Sequence, residues 1–337
     1  MPDILIKSFN RPFYLDRCLQ SIDAFVKGDF RVIVLDDGTP KKYLDKIQEK
    51  YPDVEIRRSE QYEEKTKAIE ENLKLGKEIN GFKIPTQLWK TAVQQAGDYV
   101  LVTEDDVWFN QEINLEEVTK QMRVSDIYLT KLGWLGNASR DTGYQSISNL
   151  LETISAKQLF TSNEWVMDWF FYNKFKVFSL LYKLGKVDNY TVGKYWQLNS
   201  ILMGLWKKDY WLHVWKDAQG KVDEKEQLRN AAAFYHCHKT NPNFVAKTKT
   251  EILKTTFQSS ATGSYHQYGV DFNVNYFNHL INEAWLKGEF DPMQNFPKDF
   301  SLDYFDRFLD DKMDQNNFRL WVEHFKSQYR NQGADVG

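Results

Sequence analysis

Residues 4–40 read ILIKSFNRPFYLDRCLQSIDAFVKGDFRVIVLDDGTP. Ile4, Leu5 and Ile6 form a short apolar run bounded by polar residues. Residues 31–35, RVIVL, form a second run, rich in β-branched side chains. Both patterns predict buried strands. Between them Tyr14, Leu15, Leu19, Ile22, Phe25 and Val26 recur at helical spacing, and Pro12 suits a helix's first turn. Strand, helix and strand within about 30 residues make a βαβ unit, so the two strands are parallel and the crossover is right-handed. In open α/β sheets ligands bind at the loops leaving the carboxyl ends of the strands. Here those loops are SFNRP at residues 8–12 and DDGTP at residues 36–40.

Working outward, residues 41–51 predict a second amphipathic helix, 54–57 a short strand and 87–95 a third helix. That helix leads into residues 99–109, YVLVTEDDVWF: an apolar strand, the carboxylates Glu104, Asp105 and Asp106 in a row, and an aromatic rim. Adjacent carboxylates repel one another, and a hard divalent ion such as Mg²⁺ or Mn²⁺ offsets that repulsion. Alone, the triplet also reads as a solvated acidic turn. Three loops, SFNRP, DDGTP and TEDD, are expected to open on one edge of the sheet.

With 337 residues the chain can bury a sizeable core. Its 42% hydrophobic and 27% charged content is that of a soluble globular protein. A formal charge of −3 argues against nucleic acid or an anionic membrane as the main partner. The 11 Trp, 18 Tyr and 23 Phe exceed ordinary usage, and some of these rings are expected at a binding cleft. Cys18 and Cys237 give no disulfide framework, which suits a reduced compartment. No leader pattern and no 18-residue apolar run is visible, so a cytoplasmic protein without a transmembrane span is expected.

A strand followed by SFNRP, a strand followed by DDGTP and a strand followed by EDD resembles the nucleotide-binding half of GT-A glycosyltransferases, particularly family 2 enzymes. The likeness covers about the first 110 residues, and the order and spacing of three motifs are more specific than any one of them. It implies a Rossmann-like, mostly parallel sheet flanked by helices. It also implies a nucleotide-sugar donor, UDP-linked above all, and a Mn²⁺ or Mg²⁺ cofactor. On this resemblance Asp37 pairs with the base, Phe9 lies against the base or ribose, and Asn10, Arg11 and Asp36 belong to the donor loops. The metal and ribose contacts fall on Asp105 and Asp106, with Asp106 the direct ligand, while Glu104 replaces the first Asp of the commoner DxD form. Asp36 also reads as a carboxylate closing its turn through backbone amides. Arg11 could equally pair with a carboxylate of the fold.

The charged stretch 60–83 predicts a solvated helix over 63–75, and Lys83 could reach a phosphate. Residues 115–122 predict a helix, 127–130 a strand and 131–145 a loop of the kind that carries acceptor contacts. Residues 164–184 gather Trp165, Trp169, Phe170, Phe171, Phe175 and Phe178 on about one helix, either core, a lid helix or a surface for a lipid-linked or partner acceptor. Residues 197–233 resemble the family's strand, basic pair, helix and acidic pair that deliver the catalytic base. An inverting transferase needs one carboxylate near the acceptor hydroxyl, and Glu224 or Asp223 fills that role with Asp168 in reserve. Asp223 also reads as a helix N-cap, with Glu226 completing a capping box.

Residues 234–239, FYHCHK, put two imidazoles on one side of a strand if they are extended. The resemblance implies that a late His completes the metal shell; His236, His238 and His266 are the candidates. Residues 247–249, KTK, and 254–266 form a basic, hydroxyl-rich segment suited to folding over a diphosphate or to a plain surface loop. From Phe272 onward the pattern is helical, broken at Pro292 and Pro297. The domains expected are a GT-A-like catalytic domain over 1–240, divided into a nucleotide-binding half at 1–110 and an acceptor-side half at 111–240. A loop and an α-helical C-terminal extension follow over 241–337. The function implied is metal-dependent, inverting transfer of a sugar from a nucleotide sugar to a hydroxyl of a glycan, protein or lipid-linked acceptor. Two alternatives share the architecture: a nucleotidyltransferase or sugar-phosphate pyrophosphorylase, and a non-catalytic carbohydrate-binding scaffold. The first generally carries a Gly-rich loop after its first strand, and SFNRP has no glycine.

Overall fold

A computed structural model describes residues 1–136, 144–154, 159–261, 267–331 and 333–336. The βαβ unit is present as β1 (Asp3–Ser8), α1 (Pro12–Phe25), the two-residue β2 (Val26–Lys27) and β3 (Arg31–Asp36). There follow α2 (Lys41–Lys50), β4 (Glu55–Arg58), α3 (Tyr62–Leu75), α4 (Thr86–Gln95), β5 (Tyr99–Glu104), β6 (Val107–Phe109) and β7 (Ile113–Asn114). The middle of the chain adds α5 (Leu115–Val124), β8 (Leu129–Lys131), β9 (Gln145–Ser146), β10 (Leu151–Ile154), α6 (Glu164–Phe171) and α7 (Val177–Lys183). The remainder comprises β11 (Gly204–Lys207), α8 (Lys208–Val214), α9 (Glu224–His236), β12 (Val245–Thr248), β13 (Leu253–Thr255), α10 (Val274–Lys287), α11 (Leu302–Asp306) and α12 (Gln315–Arg330).

The main sheet runs β4-β3-β1-β5-β11-β8-β12-β10-β9. Its first four strands are parallel, as the crossover helices require, and β11 then enters antiparallel to both β5 and β8. Beyond that point the sheet is mixed. The strand β12 pairs with β8 inside this sheet, so the sheet continues past residue 240.

Alternation along β1 builds the core on both faces. Ile4 and Ile6 belong to one apolar cluster and Leu5 to the other, as a period of two demands. The Ile4 face is covered by Phe13 and Tyr14 of α1, Phe277 and Trp285 of α10, and Phe318 and Trp321 of α12. The Leu5 face is covered by Trp89, Trp206 and Trp211. Much of the aromatic surplus is therefore core. The C-terminal helices share the first cluster with the βαβ unit.

Two expected elements differ. Residues 164–184 do not form one helix, because Asn173, Phe175 and Lys176 take positive φ and separate α6 from α7. Residues 234–238 are the end of α9 and its following turn, so His236 and His238 are not strand neighbours. Of the expected loop at 131–145, residues 137–143 lie outside the described residues, as do 262–266 of the hydroxyl-rich segment.

Candidate active site

Register places the three loops side by side. Ser8 pairs with Asp36 and Lys7 with Glu104, so SFNRP, DDGTP and EDD all leave the same edge of the sheet. At DDGTP, Asp36 is fully buried and closes the turn. It accepts from the backbone N–H groups of Gly38 (3.0 Å) and Thr39 (2.8 Å) and from the Thr39 hydroxyl (2.6 Å). Burial nonetheless pushes its carboxyl up to about 6, against the pull of those bonds. Gly38 sits at φ +139°, and a Cβ there would come within 2.8 Å of Lys65 Cβ and 3.1 Å of the Phe9 ring. Only glycine lets the turn pass between them.

Asp37 points the other way. Its Oδ2 accepts from Lys65 Nζ at 2.5 Å, while its Oδ1 is buried with no hydrogen-bond partner. Burial raises its carboxyl, and Lys65 and the nearby Ser59 pull it back. The Ser59 hydroxyl lies beside this carboxylate without good hydrogen-bond geometry to it, and is itself buried and unpartnered. Lys65 also donates to the Lys83 carbonyl at 2.7 Å, which ties α3 to the segment before α4.

At the acidic loop the crowded carboxylates meet side-chain cations. Arg11 pairs with Asp105 at 2.5 Å and with Asp106 at 2.8 Å, and Lys7 pairs with Glu104 at 2.6 Å. Phe9 N–H donates to Asp105 Oδ2 at 3.0 Å. Burial and the charge of Asp106 push the Asp105 carboxyl up to about 7, opposed by Arg11. Asp106 is raised by burial against the same guanidinium. Burial would raise Glu104 too, but Lys7 and Arg11 outweigh it and hold it low. Arg11 is itself held protonated: burial opposes its charge, and Asp105, Asp106 and Glu104 overcome that. One buried oxygen of this loop, Asp106 Oδ1, is left without a partner.

Two cavities meet at Arg11 and Glu104. The first, about 400 Å³, is lined by Phe9, Asp37, Lys65, Phe82, Lys83 and Glu104 among others. The second, about 370 Å³, is lined by Asp106, Thr255, Ser259, Tyr268, Gln328 and Tyr329 among others. Residues 255–261 of the hydroxyl-rich segment and the last turns of α12 thus form its walls. The Tyr329 phenol is raised by burial and by the charges of Glu104 and Asp106.

Other expected residues lie elsewhere. Asn10 does not line either cavity. It is buried, with its side chain donating to Asn275 (2.8 Å) and its carbonyl accepting from Asn282 (3.1 Å), and so fastens the first loop to α10. Asp223 is the N-cap of α9 and accepts from Glu226 N–H at 3.2 Å. Glu224 follows it and lines neither cavity; its carboxyl is raised by partial burial and by Asp223. Asp168 pairs with Arg229 at 2.5 Å and joins α6 to α9. His236 bonds the Ser162 hydroxyl, and His238 bonds the Phe234 carbonyl and stacks on the Phe234 ring; neither lines these cavities. His266 lies outside the described residues.

Sequence reasoning missed Lys7, Lys65 and Tyr329. Lys65 stood in a run of charges that read as solvated, yet it is 4% exposed. Its position at 65 between Glu64 and Thr66 carried no local sign of burial.

A divalent cation fits the acidic loop in one respect. Asp106 Oδ1 is a hard oxygen donor without a partner, beside Asp105 and facing the cavity edge. Among the described residues no three His, Cys, Asp or Glu side chains converge as a metal-binding group. The remaining ligands of such an ion would therefore be substrate phosphates and water.

Residues 3–75 match the family model described as Glycosyl transferase family 2. That bears out, over this segment, the resemblance read from SFNRP and DDGTP. Among solved structures, TarS 1-349 of S. aureus in complex with UDP-GlcNAc is 14% identical, with 91% of this chain and 70% of that chain covered and a TM-score of 0.44. The whole TarS structure is covered over 42% of its length. The mannosyltransferase PcManGT from Pyrobaculum calidifontis in complex with GDP-Man and Mn²⁺ is 10% identical, with 98% of this chain and 75% of that chain covered and a TM-score of 0.37. With TM-scores below 0.5, these likenesses support no argument about the chemistry. No curated protein matches the sequence.

Proposed function

We propose that a chain with a family 2 glycosyltransferase segment at 3–75 and two cavities joined at Arg11 and Glu104 transfers a sugar from a nucleotide sugar, UDP-linked, to an acceptor hydroxyl. The carrying observation is that Asp37 lines the first cavity and Asp106 the second, and that each keeps one buried carboxylate oxygen without a partner, Asp37 Oδ1 and Asp106 Oδ1. Unpaired buried acceptors are costly in a folded protein, and a ligand that supplies the missing donor or cation removes that cost.

In this reading the first cavity takes the nucleoside. Asp37 Oδ1 accepts the imide N–H of uracil, and Lys65 keeps the carboxylate ionised. Phe9 and Phe82 offer apolar walls to base and ribose, and Lys83 stands where it can meet a phosphate. Asp106, with Asp105, would hold Mn²⁺ or Mg²⁺, whose charge neutralises the departing nucleoside diphosphate. Arg11 orients both aspartates. The second cavity takes the acceptor, with Thr255, Ser259 and Gln328 as hydrogen-bonding groups. Glu224 or Asp223 removes the acceptor's proton as its oxygen attacks the anomeric carbon from the face opposite the leaving group, with inversion. The raised carboxyl of Glu224 favours it as the base, because Asp223 is engaged in capping.

The test is donor hydrolysis and transfer by Asp106→Ala beside the wild type. Loss of turnover by a variant that still folds and unfolds cooperatively supports the reading, and undiminished turnover overturns it.

A further inference from the structure

Residues 172–187 project from the fold with apolar side chains turned outward. The helix α7 has no fully buried residue; Phe178 and Leu181 alone of its large side chains pack against the second core cluster. On the outer side Phe175 is 86% exposed, and Leu180 and Leu184, one helical turn apart, are both more than half exposed. Tyr182 is exposed on the same helix, and Trp165 is exposed on α6. Ring contacts link Trp165 to Trp169 at 4.2 Å and Trp169 to Phe175 at 6.0 Å. So much exposed apolar area in one short segment marks an interaction surface.

Between Asp168 and Asp188 its charge is one-sided. Residues 169–187 contain no Asp or Glu and four lysines, Lys174, Lys176, Lys183 and Lys186. All four are exposed, and among the described residues none has an ion-pair partner. The chain as a whole carries −3, which led to the expectation that an anionic membrane is not its main partner. The local balance of this segment is the reverse. A second copy seated symmetrically here would set lysines against lysines.

We infer that residues 172–187 dock on an anionic lipid surface, with Phe175, Leu180, Tyr182 and Leu184 entering the boundary between headgroups and acyl chains and the four ammonium groups meeting lipid phosphates. This is interfacial seating, not spanning, for no helix among the described residues is long and apolar enough to cross a membrane. The surface begins near the start of α9, away from the linings of the two cavities. The Tyr172 phenol at its base is raised by burial and by Asp223 and Glu226, at the start of α9.

The experiment is co-sedimentation of the full chain with phosphatidylcholine vesicles, with and without phosphatidylglycerol, across a salt series. Binding should be about tenfold or more stronger with phosphatidylglycerol and should weaken with salt. Phe175→Ser/Leu180→Ser and, separately, Lys174→Glu/Lys176→Glu should each reduce it about tenfold or more, with the unfolding midpoint and UDP binding unchanged. Failure of the wild type to bind either vesicle, or variants that bind as the wild type does, would overturn the inference. So would concentration-dependent self-association abolished by the same substitutions, which would assign the surface to a second copy. UDP binding reads the nucleotide site separately, so loss of one result leaves the other standing.

Discussion

Asp37 and Arg11 carry opposite lessons at the scale of single residues. Asp37 has one oxygen on Lys65 and one without a partner, so Asp37→Ala should weaken UDP binding by about ten- to hundredfold, the equivalent of one charge-assisted hydrogen bond. Isothermal titration reads this directly, and an unchanged Kd would remove Asp37 from the base contact. Arg11 is buried between two carboxylates, and Arg11→Met leaves both without their counter-charge. The cost should be about 3–5 kcal/mol in urea unfolding. A loss below about 1 kcal/mol would mean the pair contributes little to the fold. Asp36 gives a pH dependence. Its folded pKa of about 6 lies above that of a free aspartate, so the folded chain keeps a proton the unfolded chain has released. Stability contributed below about pH 4 is therefore lost as pH rises through about 6, up to about 3 kcal/mol. Asp36→Asn should flatten the fall in unfolding free energy between pH 4 and 7, and parallel slopes for the two proteins would contradict it.

The motif aspartates were legible because each follows an apolar run and sits in a recognisable loop. Lys65 and Tyr329 were not, since what makes them part of the site is tertiary. Lys65 is brought to Asp37 by the packing of α3, and Tyr329 comes from α12, more than two hundred residues from the acidic loop. Periodicity also located the strands of the βαβ unit, where burial and alternation coincide. It failed at 164–184, where recurring rings suggested one stripe, although Asn173 is a residue type that readily takes the left-handed conformation. At 234–238, His236 and His238 would share one side of a strand if extended, but the segment is the end of α9 and the turn after it. At this scale α12 is the element to test. Phe318 and Trp321 are fully buried in the cluster that also holds Ile4 and Phe13. Phe318→Ala should cost about 3–5 kcal/mol in a single cooperative transition. Early, separate melting of the C-terminal helices with the rest unaffected would instead show that the extension is an independent appendage.

For the whole molecule, the register of β1 with β3 and β5 converts three separated sequence motifs into one edge, and α10 and α12 close that edge from the other side. Asn10 is the pin between them, bonded to Asn275 and Asn282. The account therefore rests on a single claim, that this edge binds a nucleoside diphosphate through Asp37 and a divalent ion through Asp106. Isothermal titration of the wild type and Asp106→Ala with UDP, each with and without Mn²⁺, tests it. Binding that Mn²⁺ strengthens in the wild type, and that Mn²⁺ no longer strengthens in Asp106→Ala, is the predicted result; no UDP binding by the folded wild type under either condition would contradict it.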